Sequence, residues 1–336
     1  MRPLAPSVQK LGAAVLIAML AACLLTLPYT LGEASQPGDA AMAVDDPGTA
    51  VRRYAATDLD RTLLPPFWAP HADDERAKID EVAEHRDNVP RAWMGTDGLG
   101  RDMLVRLLAG GGISMGIGLS AAVIAVVIGT LYGTIAGFAG GRVDAVMMRA
   151  VDVLYGLPYI LLVVLLAVAV DGILANVEGA ISPNQRQFIN VLTLLVAIGG
   201  VSWLTMARVI RGQVLSLRNQ PFMEACRATG VPLWRQFAVH LLPNLLGPIV
   251  VYATLAVPSA ILSESFLSFL GIGVRAPLPS WGNLAAEGLS ELNTVRSRWW
   301  LLLWPCLFIA ITLLALNFVG EGLRERFDPR RRVGRG

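Results

Sequence analysis

The chain has 336 residues, 54% of them hydrophobic and 16% charged, with a mean hydropathy of +0.54. Soluble domains carry about 25% charged residues, so an ordinary soluble globule is excluded. The net charge of +2 says little; the distribution says more, with acids gathered in residues 33–110 and arginines in Leu323–Gly336.

The apolar residues fall in runs of about 20, long enough to cross a hydrocarbon core about 30 Å thick. Six spans are predicted in chain order: Leu11–Leu31, Ile113–Phe138, Val146–Val170, Phe188–Val209, Leu245–Leu270 and Trp299–Val319. The expected fold is therefore an all-α, six-helix polytopic bundle. A tail of residues 1–10 precedes the first span. Leu20-Ala21-Ala22-Cys23 resembles a lipoprotein cleavage box, but the apolar run continues through Leu24–Leu27, so a retained first helix is expected.

Residues 32–112, an acidic loop and a rim helix, are expected to be the main extracytoplasmic part. Pro37-Gly38 and Pro47-Gly48 read as loop, and Asp74–Arg86 as at most a surface helix. Leu99, Met103, Leu104, Leu107 and Leu108 recur at helical spacing and predict a helix across the rim of the bundle, ahead of the second span. In that span Gly129, Gly133, Gly137 and Gly141 recur every four residues, a stripe that lets helix backbones approach closely. Trp299, Trp300 and Trp304 open the sixth span, where interfacial aromatics are expected.

The core of the protein is thus residues 113–322, with a polar loop at 211–244 and a basic tail at 323–336. Arg142 and Arg149, the arginines of the 211–244 loop, and those of both termini lie on one side of the six-span topology. By the positive-inside rule that side is cytoplasmic, and both termini with it. Arg275, Arg296 and Arg298 weaken the asymmetry without reversing it. A short basic end beside a membrane helix marks orientation, and no nucleic-acid partner is expected.

Little in the chain suggests bond chemistry. There is no G-x-x-x-x-G-K-[ST] phosphate loop, and His71, His85 and His240 are scattered. Cys23, Cys226 and Cys306 have neither metal-site nor disulfide spacing. The chain is expected to be no enzyme, and to bind no cofactor or metal. If ATP drives it, another chain binds the nucleotide.

The 211–244 loop carries the specific signal. Phe222–Thr229 predicts a short helix exposing Glu224 and Arg227. Gly230 permits a turn, and Val231-Pro232 then opens a second helix presenting Leu233, Phe237 and Leu241 on one face. Glu224-Ala225-Cys226, three residues, Gly230, nine residues and His240-Leu241-Leu242-Pro243 resemble the EAA loop of ABC importer permeases. Gly95–Asp102 with Arg106-Leu107-Leu108, Leu262–Gly271 and Pro279–Asn283 resemble further motifs of the dipeptide, oligopeptide and nickel branch, in its second membrane subunit. Cys226 stands where the pattern has Ala, and residues 69–90 look like an insertion.

The resemblance implies a type I importer permease in the cell inner membrane. Its partners would be a homologous permease subunit, two ATPase subunits holding ATP and Mg, an extracytoplasmic substrate-binding protein and a di- or oligopeptide cargo. Nickel or another small solute is the alternative cargo, and a non-transporting scaffold the alternative class. The implied ATPase-coupling residues are Glu224, Ala225, Cys226, Arg227, Gly230, Leu233, Phe237, His240 and Pro243. Glu264 and Asp152, acids within predicted spans, either face a translocation path or are helix-end carboxylates paired with Arg or solvated at the interface.

Overall fold

In hydrocarbon every backbone polar group must find a partner within its own segment, which favours helices wherever the apolar runs occur. The computed structural model describes residues 6–34, 51–85, 91–175, 182–292 and 298–327. The Pro-Gly pairs at 37–48, Arg296 and residues 328–336 of the basic tail lie outside them. The helices are α1 (Pro6–Thr30), α2 (Asp73–His85), α3 (Met103–Ala139), α4 (Gly141–Tyr155), α5 (Tyr159–Ala175) and α6 (Pro183–Arg218). Next come α7 (Pro221–Ala228), the single turn α8 (Leu233–Arg235), a π-helical stretch Gln236–Leu241, α9 (Leu242–Phe269), α10 (Trp281–Ser290) and α11 (Trp299–Phe327).

Among the described residues five segments are long and apolar enough to cross a membrane: Ser7–Thr30, Met103–Ala139, Gln185–Arg218, Leu233–Phe269 and Trp299–Arg326. The sixth expected span, Val146–Val170, is not one helix. α4 and α5 pass the same test only together and are bent by 83° at the intervening break. Pro158 is the physical reason: it has no N–H to donate, and it drives Leu157 away from helical backbone angles. The rim helix and second span, predicted apart, are instead the continuous α3. Gly110-Gly111-Gly112 stays helical within it.

Contacts divide the chain into two units. One comprises Met1–Val15, Ile117–Ser263 and Leu313–Gly336. In it the glycine stripe of α3 meets α6. A Cβ on Gly129 would stand 2.5 Å from Met206 Cβ, one on Gly137 2.9 Å from Val214 Cβ, and one on Gly133 would run into the Ala207 carbonyl. Gly141 is not part of the stripe: α3 ends at Ala139, and Gly140 and Gly141 turn the chain with φ of 67° and 56°. α6 has 36 residues and is about 54 Å long, so it outruns the hydrocarbon.

The other unit comprises Leu16–Gly116 and Glu264–Thr312. Its centre is Trp281, fully buried, which donates Nε1–H to the Leu107 carbonyl at 3.0 Å. Ser280 caps α10 in a reciprocal capping box with Asn283, and the close approach of Gly282 to the Ser265 backbone leaves no room for a side chain. Pro279–Asn283 is thus a packing motif. So is Gly95–Asp102: buried Arg106 binds Asp97 at 2.5 Å and both carboxylate oxygens of Glu287 at 2.6 and 2.9 Å. Arg101 also donates to Asp97, at 2.7 Å.

Cys23 lies inside α1, buried against Gly111 and Trp281. Of the three tryptophans of α11, Trp300 is buried and donates to the Thr96 carbonyl, so it packs inward instead of joining an interfacial belt. Trp299 meets the Trp68 ring at a tilt and Trp304 meets it edge-on.

Candidate functional site

The segment after α6 is built as predicted in outline, with a sharper turn. Pro221 occupies the first turn of α7, where a missing N–H costs nothing. Past the C-cap Thr229, Gly230 takes φ +69°. Gly230 N–H donates to the Arg227 carbonyl at 3.1 Å and Val231 N–H to the Cys226 carbonyl at 3.0 Å. That pair of bonds is a Schellman motif, and a left-handed residue at its centre is what glycine supplies without strain. The turn is pinned again by Gln236, buried, whose Nε2 donates to the Val231 carbonyl at 2.6 Å. Arg227 reaches back to the Arg218 carbonyl at the end of α6, at 3.1 Å.

One side of this hairpin is anchored and the other is open. Met223 of α7 is fully buried. Leu241 and Leu245 join Met206, Ile210 and Val214 of α6 in one core cluster, with Phe237 packed against it. Glu224, Ala225, Arg227 and Pro243 are exposed, while Cys226 and His240 are half-buried. Leu233 and Trp234 are about two-thirds exposed, at 66% and 69%. The expected single face of Leu233, Phe237 and Leu241 is therefore split: Leu233 points out and Leu241 in. The π-helical stretch Gln236–Leu241 is the reason, because its i→i+5 register rotates the residues after it relative to those before it.

An open face with an exposed aliphatic, an exposed indole, a carboxylate and a guanidinium, backed by a buried anchor, can transmit displacement of a docked partner into α6 and α9. α6 in turn holds α4 through two arginines. Arg211 forms a two-pronged pair with Asp144 at 2.5 and 2.6 Å. Arg208 binds Asp152 at 2.8 Å and lies 4.0 Å above the Tyr155 ring. Asp152 is thus the Arg-paired carboxylate that the sequence left open.

Glu264 fits neither reading made of it. It is fully buried within its unit and hydrogen-bonded to Ser114, Ser265, Ser268 and Ser280. Ser268 donates at 2.8 Å and Ser265 at 3.3 Å. Four hydroxyls converge on the carboxylate, which ties α9 to α3 and to the cap of α10. The spacing of Glu264, Ser265 and Ser268 on α9 was readable; the arrival of Ser114 and Ser280 was not.

Sequence reasoning passed over Trp234, Met223 and Gln236. An indole in a polar loop between spans was the available signal for Trp234, and helical spacing from Pro221 for Met223. Among the described residues no group of His, Cys, Asp or Glu is arranged to hold a metal ion.

Residues 129–333 match the family described as binding-protein-dependent transport system inner membrane component, a stretch that holds the whole hairpin. The dipeptide transport system permease protein DppC of Bacillus subtilis is 40% identical over 273 residues, 80% of this chain and 78% of that protein. The oligopeptide transport system permease protein OppC of Escherichia coli is 48% identical over 240 residues, 71% of this chain and 73% of that one. A chain of the MetNI methionine ABC transporter in an inward-facing conformation aligns with a TM-score of 0.52 at 17% identity. The alignment covers 67% of this chain and 98% of that one, a likeness of fold alone. With 61 curated proteins matching in all, and a helical fold of the importer permease kind, this chain belongs to the family of binding-protein-dependent transport system inner membrane components.

Proposed function

We propose that this chain is one of two membrane subunits of an ATP-driven importer for di- or oligopeptides. The observation that carries the reading is the hairpin from Pro221 to Leu241. It has a rigid Schellman turn, a buried anchor on α6 and an open face bearing Glu224, Arg227, Leu233 and Trp234. In this reading two ATPase subunits bind ATP and Mg, one of them docks on that face, and closure of the pair moves the hairpin as a rigid body. α6 and α9 move with it, and the path formed with the second permease changes which side it faces. The chain contributes contacts that differ between two states and no bond chemistry, as a shift of populations requires.

The hairpin then lies on the cytoplasmic side of the inner membrane, as do both termini. Residues 51–85 and 91–102 lie outside, where a substrate-binding protein delivers cargo. The relatives at 40% and 48% identity are named for dipeptide and oligopeptide transport, which favours peptide over nickel.

The test is purification of the tagged chain from its own membranes in mild detergent. ATPase activity of the eluate is then assayed with and without small peptides and the binding protein. Co-purifying ATPase chains stimulated by peptide are expected. An intact chain recovered alone in several detergents would sink the coupling assignment, and an ATPase indifferent to peptide would sink the cargo.

A further inference from the structure

The insertion at residues 69–90 carries α2, and α2 and the head of α11 wall one cavity. Its volume is about 470 Å³, and it lies within the unit that holds residues 16–116 and 264–312. Asp74, Glu75 and Lys78 of α2 line one part of it, and Arg298, Trp299 and Trp300 line another. The span Trp299–Arg326 has 28 residues and is about 42 Å long, the thickness of a bilayer with its headgroup layers. Trp299 therefore stands in a headgroup layer, the usual depth of interfacial tryptophans. Trp68, 53% exposed, meets Trp299 and Trp304 beside it.

The charges of this cavity are mixed. Lys78 Nζ donates to the Thr62 carbonyl at 3.0 Å and to the Thr62 hydroxyl, both neutral, and an ammonium has three donors. Arg298 pairs through Nη1 with Glu291, which lies outside the lining, and a guanidinium has five donors. Glu75 accepts the Ala72 amide at 2.9 Å through Oε2 alone, one of its two oxygens. With Arg298 balanced by Glu291, Lys78 is set against Asp74 and Glu75. That balance disfavours a multiply anionic ligand and suits one that carries an anion and a cation together.

We infer that this cavity binds the headgroup of an outer-leaflet phospholipid that carries a phosphate and a primary ammonium. The inference rests on the importer reading only for which leaflet the cavity meets. The phosphodiester takes charge-assisted hydrogen bonds from Lys78 and Arg298, and the positive end of α11 adds to their pull. The ammonium donates to Asp74 and Glu75. A quaternary ammonium has no N–H to donate, and with Trp300 buried, Trp299 alone makes no aromatic cage for one. Trp299, Leu303 and Leu307 recur every four residues and share one face of α11. Leu303 and Leu307 are 46% and 39% exposed, so acyl chains below a held headgroup run down an apolar stripe. A soluble zwitterion has no use for that stripe, which favours the lipid. The bound headgroup bridges α2 to α11 and so holds the insertion against the bundle.

The test uses the full chain, purified with whatever partners it retains and delipidated in detergent. Thermal unfolding is followed after adding phosphatidylethanolamine, phosphatidylcholine or phosphatidylglycerol of the same acyl chains, or glycerophosphoethanolamine, which has the headgroup without the chains. Phosphatidylethanolamine is expected to raise the melting temperature most, and the free headgroup to leave it unchanged. Glu75→Gln with Lys78→Gln keeps an acceptor and a donor but removes both charges, and is expected to abolish the preference. In the unsubstituted chain, phosphatidylethanolamine with a photoreactive acyl chain is expected to cross-link to the stripe at Leu303 and Leu307, read by mass spectrometry.

Equal shifts from all three lipids, or a preference kept by the double variant, would overturn the site. A larger shift from phosphatidylglycerol would overturn the zwitterion, an equal one from phosphatidylcholine the primary ammonium, and an equal one from the free headgroup the lipid. Should the double variant fail to fold, the cross-links decide, and their even spread over the apolar helices would overturn the site. Neither measurement uses ATP or peptide, so a chain that imports nothing would count against the function reading and leave this one standing.

Discussion

Arg211 clasps Asp144 with two hydrogen bonds, Nε to Oδ1 at 2.5 Å and Nη2 to Oδ2 at 2.6 Å, and so fastens α4 to α6 seven residues before α6 ends at Arg218. Asp144 is nearly buried and the Arg211 side chain is about one-third exposed. The pair is planar and bidentate, yet partly screened, so a double-mutant cycle of Asp144→Asn and Arg211→Gln should give a coupling of about 1–2 kcal/mol. Thermal unfolding in detergent measures it. A coupling indistinguishable from zero would mean the two helices are held by packing alone.

Gly230 and Trp234 separate the shape of the hairpin from its face. Gly230→Ala forces a Cβ into a left-handed residue and should cost about 1 kcal/mol, lowering coupling as the turn loosens. Gly230→Pro and Glu224→Lys should uncouple ATP hydrolysis from uptake with membrane insertion intact. Trp234→Ala removes a ring that is about two-thirds exposed, so stability should hold while capture of ATPase chains falls. Wild-type capture by Trp234→Ala would place docking elsewhere.

Gly133 sits against the Ala207 carbonyl on α6, a neighbour that is backbone and cannot rotate away. Gly133→Ala should cost about 1–3 kcal/mol, the usual penalty for overpacking. Gly116, with nothing near its would-be Cβ, is the control, and Gly116→Ala should be neutral or better. Equal melting temperatures for the two variants would show that close α3–α6 approach is not required.

Glu264 should behave as a structural group. Glu264→Leu strands four buried hydroxyls and should destabilise by more than about 2 kcal/mol, whereas Glu264→Gln keeps an acceptor and should fold. In Glu264→Gln the KM for peptide uptake should stay at the wild-type value. A raised KM with unchanged stability would return this carboxylate to the solute path.

Asp102, just before α3, accepts from the Leu104 and Val105 amides, at 2.8 and 3.3 Å. Burial nevertheless raises its carboxyl above the ordinary carboxylate range, outweighing those amides and the charge of Arg61. A folded-state value above the unfolded one gives a contribution that is present at low pH and lost as pH rises through the raised value. Asp102→Asn keeps a cap and removes the ionisation, so relative to wild type it should melt higher at neutral pH than near about pH 4. A constant difference across that range would show that Asp102 is not the titrating group.

Several elements were legible in the chain. Long apolar runs must become helices in hydrocarbon, which gave α1, α3, α6, α9 and α11, with five of the ten ends within three residues and the others running five to ten residues further into polar sequence. Gly129, Gly133 and Gly137 announced a close helix contact because spacing by four keeps one face. Gly230 announced the turn because its conformational freedom is a local property. Pro158 was equally visible, and its bend was missed because hydropathy averages over a window and ignores which residue lacks an N–H.

The rest depended on residues far apart in the chain. That α6 is the partner of the glycine stripe, that Asp152 finds Arg208, and that Glu264 finds Ser114 and Ser280 are decided by how helices pack. Helical period says which residues share a face and nothing of what that face meets. The sequence by itself determined a helical membrane protein, its family and the position of its hairpin, since composition, periodicity and backbone permission act locally. Only the tertiary structure decided that Leu233 points out and Leu241 in, that Glu264 is a buried tie, and that α2 and the head of α11 wall one cavity. A carboxylate or a hydroxyl takes its role from its neighbours, and packing chooses the neighbours.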